Sequence, residues 1–254
     1  MLLRWLFFCF FPLFLFTCDP ATMHKGAGPQ VVRPHETYAG YYAVDGVPTL
    51  LLGFDLTTAA MPMEQLLRLG DRLVANGGNY LRLPPVVAIG DDAQEGYRLL
   101  ESRGIVIDTT GTLLLPSVNS VAALNRQLLG GAAGGCYSLV TQRGLNSIRA
   151  IRTLERHVKF WDLSPTPAGV VVGNSGAIAA ATPYDTYVAY LSGEGSATLT
   201  FQDTLQEPRR VTVIGHLGTQ RSEILEPPYD QRFTIQSNEE RGGWMLIELL
   251  PVGR

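Results

Sequence analysis

The spacing of hydrophobic positions changes several times along this chain, and each change marks a segment. Residues 1–18, MLLRWLFFCFFPLFLFTC, are a dense run of Leu and Phe behind one basic residue, Arg4. The run is short for a membrane span and holds Pro12, so it reads as an export signal outside the fold. Residues 19–36 are polar and contain Pro and Gly, a tether. TYAGYYAVDGVPTLLLG places two apolar runs around Asp45-Gly46, the signature of a hairpin, and Thr49–Leu52 is a candidate first strand of an α/β unit. Leu66, Leu67, Leu69, Leu73 and Val74 fall close to helical spacing, which predicts a helix over Met63–Ala75. Pro62 suits its first turn and Gly77-Gly78 its stop. Asn79–Leu83 then reads as a strand ended by Pro84-Pro85, so residues 49–83 form a β-α-β unit with parallel pairing and a right-handed crossover.

The next stretch, GYRLLESRGIVIDTTGTLLLPS, reads as a strand pair around TTG. Val118–Leu129 is predicted helical, Gly130–Gly135 a small-residue link, and Tyr137–Val140 a strand. Leu145–Phe160 is a predicted helix with Leu145, Ile148, Ile151, Leu154 and Val158 on one face. Arg149, Arg152, Arg156 and Lys159 mark its other face, which reads as solvated. After DLSPTP the period shortens to two. GVVVGN, AIAAAT, TYVAYLS, ATLTFQ, RRVTVIGHL, QRFTIQS and WMLIELL alternate with turns, SGEGS at 192–196 among them. That texture predicts an all-β sandwich over 166–254, following an α/β domain over 37–165.

Composition narrows the function classes. The 254 residues are 46% hydrophobic and 17% charged with a net charge of −3, enough to bury a core and too acidic for a nucleic-acid surface. There is no GxSxG elbow, phosphate loop or dinucleotide fingerprint. GGAAGG lacks the Lys and Ser/Thr of a phosphate loop and reads as close backbone packing. His24, His35, His157 and His216 are scattered, so neither a metal nor a cofactor is expected. LFTC resembles a bacterial lipoprotein box, with Leu15 three positions before Cys18, the expected lipidation site and membrane anchor. A plain cleaved signal and an uncleaved anchor are the alternatives, and all three put the body of the protein outside the cytoplasm. Without acylation, a Cys18–Cys136 disulfide is conceivable; with it, Cys136 is a lone thiol on a buried strand.

YYAVDGVPTLLLG, VANGGNYLRL, GGAAGGCYS, RGLNSIRAIRTLERHVKFWDLSP and TYVAYLSGEGSATLTF…GGWMLIEL are similar, in this order, to blocks of exported glycoside-hydrolase-like proteins. The resemblance implies a (β/α)₈ barrel followed by a β-sandwich of the collagen-binding type. One departure is large. Residues 83–129 alone separate GGNYLR from GGAAGG, and a β/α unit of such a barrel takes roughly 30 residues. The expected fold is therefore a truncated TIM-barrel-like α/β remnant, lacking the middle of the barrel, with a C-terminal antiparallel β-sandwich.

That departure bears on chemistry. Glycoside hydrolysis uses two opposed carboxylates, which the resemblance would place on the fourth and seventh barrel strands, in the missing part. Of the remaining acids, Asp55 alone follows a strand at the catalytic end; Glu64, Asp71 and Glu155 read as solvated helix charges. Asp55, Asn79, Arg82 and Arg143 are the candidate ligand-binding residues, expected to gather at the strand C-termini and hydrogen-bond sugar hydroxyls. Arg82 reads equally well as a strand-end ion-pair partner. Tyr187, Tyr190 and Trp244 read as core. The leading expectation is an exported, lipid-anchored protein binding carbohydrate or a surface partner without catalysis. The alternatives are a hydrolase with rearranged carboxylates, completed by a second subunit across its open strand edges as a homodimer, and a structural envelope lipoprotein.

Overall fold

The computed structural model describes residues 30–59, 61–85, 91–165, 178–182, 186–193, 195–200, 208–226, 232–237 and 242–250. Residues 1–18, read as an export signal ending at Cys18, and GVVVGN lie outside them. The Asp45-Gly46 hairpin forms as its chemistry requires: both residues take positive φ, 51° and 85°, the type I′ pattern that only small or Asn/Asp-like residues adopt readily. It joins β2 (Tyr42–Val44) to β3 (Val47–Thr49), and β1 (Val32–Pro34) pairs along the other side of β2. Val32–Pro34, expected within the tether, is therefore a strand. The Val31 amide donates to Asp45 Oδ1 at 3.0 Å, and His35 Nδ1 accepts from the Thr37 and Tyr38 amides, so residues 31–36 are held by the hairpin.

The centre of the molecule is a five-stranded parallel sheet. Its strands are β4 (Leu51–Asp55), β5 (Tyr80–Arg82), β6 (Val106–Asp108), β7 (Ser117–Val118) and β8 (Gly134–Tyr137), in the spatial order β6-β5-β4-β8-β7. Helix α1 (Met63–Ala75) links β4 to β5, α2 (Asp91–Ser102) links β5 to β6, and α3 (Val121–Leu129) links β7 to β8. Helix α4 (Gln142–Glu155) follows β8. Each helical step moves the same way along the sheet, so right-handed crossovers put all these helices on one face. Residues 109–116 make the remaining jump, from one edge strand to the other, without a helix.

Local signals explain most of these elements. Helix α1 ends in a Schellman motif: the Gly78 amide bonds the Leu73 carbonyl at 2.9 Å, the Gly77 amide bonds that of Val74 at 2.8 Å, and Gly77 takes φ 80°. Ser120 and Thr141 cap α3 and α4 by accepting the Ala123 and Gly144 amides. Three expectations are corrected. GYRLLES is helical, because Ala93, Tyr97 and Leu100 bury one face at helical spacing. TTG is no hairpin; the Asp108 carboxylate takes the Thr110 and Gly111 amides and turns the chain there. The eighth strand covers Gly134–Tyr137 rather than Tyr137–Val140, and a side chain on Gly134 would strike the Leu51 carbonyl.

From Ser164 the chain is antiparallel. One six-stranded sheet runs β14 (Gln220–Leu225), β13 (Arg209–Gly215), β16 (Gly243–Leu249), β11 (Tyr187–Leu191), β10 (Ile178–Ala181), β9 (Ser164–Pro165). A two-stranded sheet pairs β12 (Gly195–Thr200) with β15 (Arg232–Ser237). SGEGS is not a hairpin turn: β11 pairs with β10 and β16 while β12 pairs with β15, so this stretch passes the chain between sheets. One apolar cluster joins the two halves, Val188, Tyr190, Ile214, Trp244 and Leu246 packing with the helices and with Phe160.

Arg152 departs from the solvated-face expectation. Its guanidinium donates to the carbonyls of Gly77 (2.7 Å) and Leu50 (2.8 Å) and pairs with Glu155 at 2.6 Å. It ties α4 to the strand N-termini, a stabilising end of such sheets.

Candidate functional site: an arginine between two carboxylates

Three strands end on charge: LLGFD, YLR and VID. Parallel pairing sets Asp55 opposite Arg82 and Arg82 opposite Asp108, so the three side chains share one face of the sheet. Arg82 engages four of its five N–H donors. Nε donates to the Tyr80 hydroxyl at 3.2 Å, Nη1 to Asp55 Oδ2 at 3.2 Å, and Nη2 to the carbonyls of Leu113 and Leu115, each at 3.0 Å. Asp108 Oδ2 lies 3.6 Å from Nε and accepts the Tyr80 hydroxyl at 2.9 Å. The segment that jumps between edge strands is thus pinned across this face by Arg82. The Arg82 and Asp55 side chains are 16% and 14% exposed, and that of Asp108 is 1% exposed.

Both carboxylates are held ionised. Burial works to raise Asp55, but hydrogen bonds from Thr57 and Ser117 and the Arg82 charge outweigh it and leave it below its ordinary 3.8. Burial also works to raise Asp108, and the Tyr80 hydroxyl, the Gly111 and Thr110 amides and Arg82 bring it below 3.8. Cys136, on the neighbouring strand, is free and buried; desolvation lifts its thiol to about 11, so it is not a nucleophile at neutral pH. A carboxylate whose folded pKa is depressed stabilises the fold above its unfolded value and loses that contribution as pH falls through the folded one. Acid unfolding followed by circular dichroism should therefore show stability falling below about pH 4. Asp108→Asn should start less stable at pH 7 and show a flatter acid limb; equal limbs would refute the assignment.

Of the four expected ligand-binding residues, the fold brings together Asp55 and Arg82. Asn79 precedes β5 at the opposite end of the sheet, where its Oδ1 accepts the Leu52 amide at 2.9 Å, so it belongs to strand registration. Arg143 stands in the first turn of α4, facing the antiparallel sheet rather than Asp55, because that turn leaves β8 on the helix side. The expectation missed Asp108 and Tyr80. Their signal was present in the repeated strand-end charge, and the hairpin reading of TTG concealed it.

Beside β6, an edge strand, lies a groove of about 250 Å³ lined by Glu101, Asp108, Thr109, Thr110 and Thr112 among others. The Thr110 and Thr112 hydroxyls are exposed and 2.9 Å apart.

No protein-family model matches the chain, and no curated protein matches its sequence. Solved structures do match. A structure described as a glycoside hydrolase superposes with a TM-score of 0.59 at 7% identity, over 90% of this chain and 98% of that one. A glycoside hydrolase family 5 structure from Bacteroides vulgatus gives 0.59 at 9% identity, over 87% and 94%. The chain has a glycoside-hydrolase-like fold, a parallel α/β sheet followed by antiparallel sheets.

Proposed function

We propose that this protein is an exported, lipid-anchored member of the glycoside-hydrolase-like folds that binds carbohydrate without cleaving it. The observation that carries the reading is the Arg82 bridge. Hydrolysis by paired carboxylates needs one of them to hold a proton for the leaving group, which requires a raised pKa. Asp55 and Asp108 are both lowered and share one cation. Strand order supports the loss of a barrel's middle. β6-β5-β4-β8-β7 fits the arc 3-2-1-8-7 of an eight-stranded barrel with residues 109–116 in place of three further units; on this reading the seventh strand, expected in the missing part, is Ser117–Val118 and carries no carboxylate, and the fourth is absent. The antiparallel sheets then correspond to the sandwich, and the open edges at β6 and β7 permit pairing of two copies. The threonine-lined groove offers hydroxyls and carboxylates to a sugar, with no aromatic platform, which favours weak binding. Leu15–Cys18 is the basis for the lipid anchor.

Aryl glycosides and a glycan array test this together. The purified protein should give no turnover and a glycan signal that falls several-fold in Thr112→Val. Turnover abolished by Asp55→Asn or Asp108→Asn, with folding retained, would make it a hydrolase; a blank array would favour a structural envelope protein.

A further inference from the structure

A second, smaller cavity lies away from the Arg82 cluster, between the helices and the antiparallel sheet. Its walls include Asn125 of α3, Arg143 and Ser147 of α4, Tyr190 of β11, Trp244 of β16, and His216, which follows β13. Its volume is about 20 Å³. A water-sized oxygen occupies about 10–15 Å³ on that measure, so the space suits one or two oxygens and excludes a sugar ring or a phosphate.

One observation gives the cavity a sign and a second gives it a donor. The first turns of α3 and α4 meet here, Val121 and Arg143 both lining it, and helix N-termini carry partial positive charge. The Arg143 guanidinium makes no ion pair among the described residues; burial pushes the adjacent Tyr137 and Tyr190 hydroxyls up, and the Arg143 charge opposes that shift. No described carboxylate lines the cavity. The other observation is Asn125. It is completely buried, lies inside a helix where Asn is a poor former, and neither Nδ2 nor Oδ1 completes a hydrogen bond, although the Tyr190 hydroxyl is close. A buried amide whose hydrogen bonds are incomplete is costly, and a group entering the cavity would supply what Tyr190 does not.

We propose that the cavity binds a carboxylate group, inserted end-first, with Asn125 Nδ2 donating to one oxygen and Arg143 to the other. Two oxygens fill the volume, and the rest of the ligand lies at the open mouth beside Arg143. The proposal is independent of the glycan reading, because acetate, which has no sugar ring, already tests it.

Acetate, glucuronate, glucose and inorganic phosphate are titrated at constant ionic strength. The readouts are the Asn125 side-chain amide and Trp244 indole resonances in ¹H–¹⁵N spectra. Acetate and glucuronate should each shift both signals saturably, and glucose and phosphate should not. Arg143→Gln, an exposed position, should keep its melting temperature and weaken acetate binding at least tenfold. Asn125→Leu should abolish the response without loss of stability. Absence of saturation, equal binding by Arg143→Gln, or an equal response to phosphate or glucose would overturn the proposal; a lone structural water at Asn125 gives the first of these.

Discussion

Arg82→Ala is expected to lower the free energy of unfolding by about 3–5 kcal/mol, measured by urea denaturation at pH 7. The size follows from what would be left behind. Asp55 and Asp108 would remain on the two strands that flank β5, mostly shielded from water and without the cation that stands between them. The Leu113 and Leu115 carbonyls would lose their donor, releasing the segment that crosses the sheet. Arg82→Lys should recover part of the loss, since an ammonium supplies charge but not the planar fork that reaches Tyr80, Asp55 and two carbonyls at once. A triple variant, Asp55→Asn, Arg82→Met and Asp108→Asn, should be markedly more stable than Arg82→Ala alone, because it removes the stranded charges. If Arg82→Ala is instead as stable as the wild type, the residue is free for a ligand and the non-catalytic reading loses its main support.

The part of the fold legible from sequence is the part governed by local chemistry. Met63–Ala75 was bounded correctly because Pro62, a clean apolar face and Gly77-Gly78 agree with one another. Asp45-Gly46 is equally local. The misreadings arise where a short apolar run serves two periods. YRLL fits a strand or a helix, and what decides is the burial of Ala93, Tyr97 and Leu100, a property of the packed sheet. The site divides in the same way. The nearness of Asp55 and Arg82 is legible because one follows and the other ends a strand that the sequence marks. Asn79 was misplaced because its proximity in sequence to Arg82 hides that they stand at opposite ends of β5. Arg143, expected beside Asp55, lies instead toward the antiparallel sheet, since which side of α4 meets that sheet depends on residues up to a hundred positions later. The Arg82 bridge itself needs the register of three strands and the path of residues 109–116, neither of which any single stretch encodes.

Gly53→Ala should be the most damaging single methyl that can be added to this sheet. Gly53 lies in the middle of β4, buried, paired with Tyr80 of β5. A Cβ there would collide with the Tyr80 carbonyl oxygen and crowd its carbonyl carbon. Backbone atoms in a parallel ladder cannot rotate aside as a side chain can, so relief requires β4 and β5 to separate. That separation acts two residues along, where Asp55 meets Arg82, and so loosens the bridge as well as the ladder. The expected result is a loss above about 4 kcal/mol, seen as insoluble protein or a collapsed urea midpoint. Gly144→Ala is the matched control. Its Cβ would lie 3.1 Å from a Tyr137 ring carbon and 3.3 Å from one of Phe54 and from the Thr141 hydroxyl, contacts that a side-chain shift of a few tenths of an ångström relieves, and in the first turn of α4 alanine is the better helix former. It should therefore stay within about 1 kcal/mol of the wild type. Should Gly53→Ala match Gly144→Ala, strands β4 and β5 are not spaced as described, and the alignment of Asp55 with Arg82 falls with them.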